Sequence, residues 1–450
     1  MYKSLLLVLV MFSSSFSNGL TLNEALESTY EHNVALKVKR EELKVKDESI
    51  MEVFSRMLPS AQLSKKKRNG KQKSSDEQGG RIQTIDGTTG HLIFSQNLFR
   101  GGSDVASLIS ARNSIEASRE ELKMEEARIL VSAVESFLKL KGAESKYINA
   151  KTMADDTKKY VNATEHRFEA GEVTKTDVAR AKATFASAKA RKSNYWAEYL
   201  AEKTHFKNIT GVEGVDLILS DVKKDIQVPT NVDSTIVAAL RTNPNIIRAN
   251  KMKNAATAGV KASLGTILPS VDLKHEINDY RHAPIASSER HYKYQHLTAM
   301  ELTIPIFDGG AKWSKIRSAK RQNQQQQYEV KRINEEVTYN AVAAWSSFDG
   351  AQEVFKSQEE ALKATKLAYE GALEEEKAGI RASVDVIIAL KEYLEQYDHY
   401  VDTKTKYYVS LYSLKAVIGE CNAKGLGLKV KYYDPLKNYN KIKWQLIGAY

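Results

Sequence analysis

Apolar residues along this chain recur at three- and four-residue spacing over long tracts, the pattern of helices that bury one face. From Thr21, the residues Leu22, Ala25, Leu26 and Tyr30 keep that spacing; Asn33 interrupts it, and a second tract runs from Val34 to about Met57. Leu58-Pro59-Ser60 ends the helical pattern, because proline restricts the residue before it to extended conformations. A polar, basic segment from Lys65 through Gly80 reads as an exposed loop. The run from His91 to Phe99 reads as a strand closed by Arg100-Gly101-Gly102. No proline then occurs until Pro229, and apolar positions hold helical spacing through Val105, Leu108, Ile115, Leu122, Ile129, Ala133, Phe137, Leu140 and Tyr147. Helical to Glu169, this tract would be roughly 100 Å long at about 1.5 Å per residue, a length expected of a coiled coil or long bundle. A glycine turn at Gly171 reverses the chain. A return helix is predicted from Thr176 to about Ile209, ended by Gly211-Val212-Glu213-Gly214.

The pattern then repeats. Asn243 matches Asn33, and Leu268-Pro269-Ser270 matches Leu58-Pro59-Ser60, at an offset of 210. A second polar loop, Asn278 to His296, precedes a second strand-like run from Leu297 to Phe307 and then Asp308-Gly309-Gly310. From there the offset is 208, pairing Gly101 with Gly309, Gly171 with Gly379, Asp177 with Asp385 and Gly211 with Gly419. An offset held over such a tract means no net insertion inside the long helices. The repeat is too long for a solenoid of short units. It divides the chain into a leader over 1–19, a first repeat over 20–214, a second over 215–420, and a tail over 421–450.

Both glycine turns have the same form, Ala-Gly followed six residues later by Asp-Val, at Gly171 with Asp177 and at Gly379 with Asp385. The hydroxyl-rich run before each Asp resembles a helix start.

Composition narrows the class. Seven prolines and 23 glycines in 450 residues, with 27% charged residues, favour long helices over a turn-rich β fold. The single cysteine, Cys421, cannot form an intrachain disulfide, and no Cys/His spacing suggests zinc. The nine histidines include His282, His291 and His296 in one loop, but no HExxH, so no metal is expected. A net charge of +11 fits an acidic partner, nucleic acid, a membrane surface, or simply Lys and Arg coating exposed helix faces. The tail, with Lys429, Lys431, Tyr432, Tyr433, Lys437, Tyr439, Lys441, Lys443 and Trp444, is expected to lie solvated along the outside rather than to bind nucleic acid. Lys3 followed by the apolar run Leu5–Phe12 and a small, polar stretch has the layout of a cleaved secretory signal, with cleavage between Ser15 and Gly19. No later apolar stretch approaches 18 residues, so any membrane role must use strands.

Taken together, the chain resembles the TolC family of outer membrane efflux proteins from Leu20 to about Gly419. The resemblance is carried by Thr21-Leu22-Asn23-Glu24-Ala25-Leu26, the two LPS boundaries, Phe-x-Gly-Gly after each strand pair, and Arg167-Phe168-Glu169-Ala170-Gly171-Glu172-Val173-Thr174-Lys175-Thr176-Asp177-Val178. It implies a mostly α fold: a long helical coiled-coil barrel, plus four strands per protomer that complete a twelve-stranded β-barrel in a homotrimer. The strands would be Ser60–Ser64, His91–Phe99, Ser270–Ile277 and Leu297–Phe307, with the polar loops outside the cell. It further implies a duct in the outer membrane of a Gram-negative bacterium, extending into the periplasm. The duct would have no enzymatic activity and no cofactor, and would pair with a periplasmic adaptor and an inner-membrane pump. Drug efflux, type I secretion and metal efflux share such a duct. The chain itself has no GxxxxGK[ST] phosphate loop, so energy would come from the pump.

By position, Arg381 matches the family's gating arginine, Asp177 its carboxylate partner, and Asp385 the first aspartate of a selectivity ring. Ile388 stands where members with two rings have an acid, which implies one ring and weaker cation preference. Gly171 would serve mainly as a helix reversal, and the Gly379 turn as the gate. Simple helix N-terminal chemistry for the two aspartates, and a solvated charge for Arg381, are the alternatives. The rival architecture is a periplasmic coiled-coil adaptor without a pore.

Overall fold

The computed structural model describes residues 20–73, 82–212, 228–282, 293–443, 445–446 and 448. The expected leader, His291 and Trp444 lie outside these. Helices α1 (Leu22–His32), α2 (Val34–Ser55), α3 (Ser103–Glu169) and α4 (Lys175–Thr210) are followed by α5 (Val232–Thr242), α6 (Pro244–Gly265), α7 (Ala311–Lys377) and α8 (Ser383–Val417), with a short α9 (Lys437–Ile442) in the tail. α1 and α5 have 11 residues each, α2 and α6 have 22, and α3 and α7 have 67. Strands β1 (Ser60–Lys73), β2 (Ile82–Arg100), β3 (Ser270–His282) and β4 (Tyr294–Thr303) form one antiparallel sheet in chain order. No described helix is long and apolar enough to cross a membrane.

Two compact units result, each drawing on both halves of the chain. Among the described residues the first holds 20–39, 123–212, 228–243 and 336–433, and is helical. Ile129, Leu130, Ala133, Val134, Phe137 and Leu140 are buried, as their spacing predicts. α1 and α5 are each tied down by the asparagine that ends them. Asn33 donates its side-chain amide to the Ile209 carbonyl at 2.9 Å, and Asn243 donates to Val417 at 2.8 Å. Each bond satisfies a carbonyl that a helix end would otherwise leave unpaired. The start of the tail belongs to this unit. Leu428 is buried, the Lys429 amide donates to Glu27, and the Tyr433 amide donates to the Tyr30 hydroxyl.

Among the described residues the second unit holds 40–73, 82–122, 244–282, 293–335 and those of the tail from 434 on, including the sheet. Here the tail buries Ile442, and Asn438 donates to the carboxylate of Asp47 at 3.1 Å. Arg119 sits over the Tyr439 ring and beside Asp47, whose pKa is raised by burial and partly restored by Asn438 and Arg119. A solvated tail is therefore the wrong expectation: its few anchoring residues, Leu428 and Ile442, follow no period that sequence reading detects.

The sheet also departs from expectation. β1 continues through Lys65–Lys73 and β2 begins at Ile82, so most of the segment read as a basic loop is paired strand. Asn278–His282 and Tyr294–His296 are likewise strand, which puts His282 and His296 on β3 and β4. At the other end β4 stops at Thr303; Ile304 to Phe307 are not strand, and Pro305 offers no N–H for a ladder.

Cross-strand register sorts the sheet into two faces. One face carries the rows Leu63–Leu92–Ile277–His296, Ala61–Phe94–His275–Thr298, Leu273–Met300 and Phe99–Val271–Leu302. Its apolar side chains are uncovered: Leu63 is 77% exposed and Met300 70%. His275 and Thr298 satisfy each other at 2.8 Å. The opposite face is mostly polar, with Ser60–Ser95, Asn97–Asp272, His91–Asn278 and Lys274–Glu301 contacts.

Where β2 meets α3, Gly101 adopts φ 58°, and a Cβ there would lie 2.3 Å from the Gly265 carbonyl oxygen. Gly102 also has positive φ (75°) but faces open space. Gly102→Ala should therefore cost only the left-handed backbone penalty, about 1–2 kcal/mol. Gly101→Ala should cost clearly more, read as a larger drop in thermal unfolding midpoint.

Candidate functional site

The two hairpin turns lie in the helical unit and are built alike. α3 ends in a Schellman motif, with the Glu172 amide bonding the Arg167 carbonyl and the Gly171 amide bonding Phe168. α7 ends identically, Ile380 to Glu375 and Gly379 to Glu376. Both motifs need a left-handed residue, supplied by Gly171 (φ 79°) and Gly379 (φ 74°).

Their second halves differ. Thr174 caps α4 in a capping box: its hydroxyl accepts the Asp177 amide, while its amide and hydroxyl donate to the Asp177 carboxylate at 2.9 and 2.7 Å. These bonds, the hydroxyl first, hold the Asp177 carboxyl below its ordinary pKa. In the second turn Ala382 stands where Thr174 stands in the first, and α8 has no side-chain cap. Asp385 sits in the first turn of α8, exposed. Ile388, one turn on, is 52% exposed.

Arg381 bonds Glu375 of its own chain at 2.8 Å. Within one protomer, then, Arg381 and Asp177 each have a local partner, and the fold does not bring them to each other. Both aspartates stand in the first turn of their helix, as the helix N-terminal alternative has them, but only Asp177 belongs to a capping box.

Sequence reading missed a link between the two hairpins. The Arg167 guanidinium bonds Glu376 at 2.5 Å and Glu172 at 3.3 Å. Glu376 is buried, and the hydrogen bond it accepts is the main cause of the raised pKa of Arg167. Beside this link lies a cleft of about 830 Å³ lined by Tyr160, Tyr369, Leu373, Ile387 and Leu390. Farther along, Arg191 and Tyr195 both bond Asp398, and burial followed by that carboxylate pushes the Tyr195 phenol up. Partners 203 to 209 positions apart leave no local signal in the sequence. Among the described residues no cluster of His, Cys, Asp or Glu is arranged to hold a metal ion.

These features define the class. The family model for outer membrane efflux proteins matches residues 25–212 and 235–420. The chain belongs to that family, and is an efflux channel protein of the outer membrane. It is similar to the outer membrane efflux protein BepC of Brucella suis biovar 1, with 26% identity over 99% of this chain and 96% of the relative. Its fold is similar to that of the Campylobacter jejuni CmeC outer membrane channel, with TM-score 0.76 and 17% identity over 93% of this chain and 88% of the other. It is also similar to the open state of the Neisseria gonorrhoeae MtrE outer membrane channel, with TM-score 0.70 and 15% identity over 88% of each chain. The family match sets aside the reading as a poreless periplasmic adaptor.

The Asp177 cap should be testable by pH and mutation. A carboxyl with a depressed folded pKa adds stability that is present above its ordinary value of 3.8 and lost as pH falls through the lower folded value. Thr174→Ala should remove about 1 kcal/mol from the start of α4 at neutral pH. The expected readout is faster amide exchange at Asp177 and Val178, with no change at the start of α8.

Proposed function

We propose that three copies of the chain assemble into one continuous duct, a passive conduit gated at the helix turns and coupled to a periplasmic adaptor and an inner-membrane pump. The observation that carries this reading is the sheet. It has an uncovered apolar face, a polar opposite face, and two unpaired edges on β1 and β4. In lipid every backbone polar group must be paired within the protein, so a four-stranded sheet is acceptable only as part of a closed barrel. Pairing β1 of one copy with β4 of the next closes twelve strands from three copies, an even number as such barrels have. The apolar face would then meet lipid, and the face with Lys274, Glu301, Asn278 and Asp272 would line the lumen.

At the turns, the uncapped Asp385 is the carboxylate free to face a three-fold axis. Three copies would concentrate negative potential and favour cations, and exposed Ile388 leaves this ring single. Arg381 would hold neighbouring turns together in the closed duct by exchanging Glu375 for a carboxylate across the subunit boundary, with Asp177 as the assigned partner. Gly171 and Gly379 set the reversals on which these charges are carried.

Single-channel recording in planar bilayers tests the gate. Arg381→Ala should raise conductance, and an unchanged value would remove the latch. Asp385→Ala should reduce the preference for cations over anions; an unaltered reversal potential in a salt gradient would rule out the ring. Recovery of the wild type from the outer membrane as a heat-modifiable trimer tests the barrel, which a soluble periplasmic monomer would defeat.

A further inference from the structure

Just beyond the apolar rows, the uncovered face changes character. The next row across the sheet is Lys65–Gly90–Asp279–Tyr294, and on β1 and β2 it is followed by Lys67–Thr88. Strand alternation places Lys65 and Lys67 on the same face as Leu63, about 7 and 13 Å farther along β1. Lys71 and Lys73 continue the series, and all four are exposed. None of the four has an ion pair among the described residues. Their cross-strand neighbours do not cover them: Gly90 has no side chain and Thr88 a small hydroxyl. Of the carboxylates on this face, Asp279 is already matched by Arg281 at 2.7 Å, leaving Asp86, opposite Asn69, against four lysines.

Tyr294 marks the level. It lies in the same row as Lys65, half exposed, with the Arg281 guanidinium 4.7 Å from its ring centre. Between the Tyr294 row and the Leu302 row lie eight residues of strand, about 26 Å at roughly 3.3 Å each. That matches the apolar band of about 25 Å, with aromatic residues at its rims, found in barrels of this kind. The lysines therefore begin where hydrocarbon gives way to headgroups, at the end of the sheet away from the helices.

We propose that Lys65 and Lys67 form a binding site for a phosphorylated lipid headgroup in the outer leaflet, with Leu63, Leu92 and Phe94 below them taking its acyl chains. The inference rests on the barrel reading above. Charge complementarity selects the occupant, because two unneutralised cations above an apolar stripe match an anionic head above hydrocarbon tails. In the closed barrel the site recurs at each seam between copies, where β1 is the edge strand.

The test uses the full-length trimer in neutral detergent, with fluorescent diphosphoryl lipid A as the probe. Lys65→Gln with Lys67→Gln is compared with Lys66→Gln with Arg68→Gln, which removes the same charge from the opposite face of the same strand. The first pair should weaken binding about tenfold or more, since each cation near an anionic surface contributes several-fold. The second pair should bind within about twofold of the wild type, and dephosphorylated lipid A should bind weakly to all three. Equal loss in both pairs would overturn the site as a mere effect of total charge. Equal binding of dephosphorylated lipid, or full displacement by millimolar inorganic phosphate, would overturn the phospholipid assignment. If the wild type forms no heat-modifiable trimer, the barrel itself fails, and that result is distinct from a trimer that does not discriminate between the two pairs.

Discussion

The interaction on which this architecture turns is the backbone hydrogen bond at a sheet edge. β1 and β4 each present a row of N–H and C=O groups with no strand partner among the described residues. In water such an edge invites aggregation, and in hydrocarbon each unpaired group costs several kcal/mol. The sequence does little to blunt either edge within the apolar band, since Pro305 falls after β4 has ended. In the proposed barrel, assembly is thus not an accessory to the fold: the sheet would be a fragment whose remaining pairs come from other copies. The apolar face adds to this demand, because residues such as Leu63 and Met300 have no covering layer in the protomer.

The helical unit answers a different constraint, that of length. α3 and α7 both have 67 residues, and the shorter helices α1 and α5 are each locked by an asparagine to the end of the helix that returns from the turn. An insertion of one residue in either long helix would rotate every later side chain by about 100°, since a turn takes 3.6 residues. The buried stripe from Ile129 to Leu140 and the Arg167–Glu376 link could not both survive that rotation. This explains why the offset of 208 persists from the sheet to the end of the second half.

Much of this was legible beforehand. Helical spacing and proline boundaries mark the four helices of the first half to within a few residues, because those signals are local, and the offset carries the same pattern into the second half. Strand ends were harder. Lys65–Lys73 reads as a solvated run because a strand that leaves the membrane needs no apolar alternation, and nothing within nine residues reports its pairing with Ile82–Gly90. The tail is hard to read for a related reason: Lys429, Tyr433 and Asn438 are held by single hydrogen bonds to Glu27, Tyr30 and Asp47 at separations near 400. At the turns, the glycines and the Asp177 cap could be read directly. The ion pairs of Arg167 and Arg381 could not, since charges at an exposed turn have many possible partners.

The missing cap on α8 has a mechanical meaning. To unwind its first turn, α4 must give up both halves of the Thr174–Asp177 box, whereas α8 has no side-chain bond to break at Ala382. Of two corners built on the same C-terminal motif, one is pinned by a side-chain cap and the other is not. In the proposed gate, the duplicated element would thus divide into a fixed post and a moving leaf, and that division would come down to a hydroxyl present in one copy and a methyl in the other.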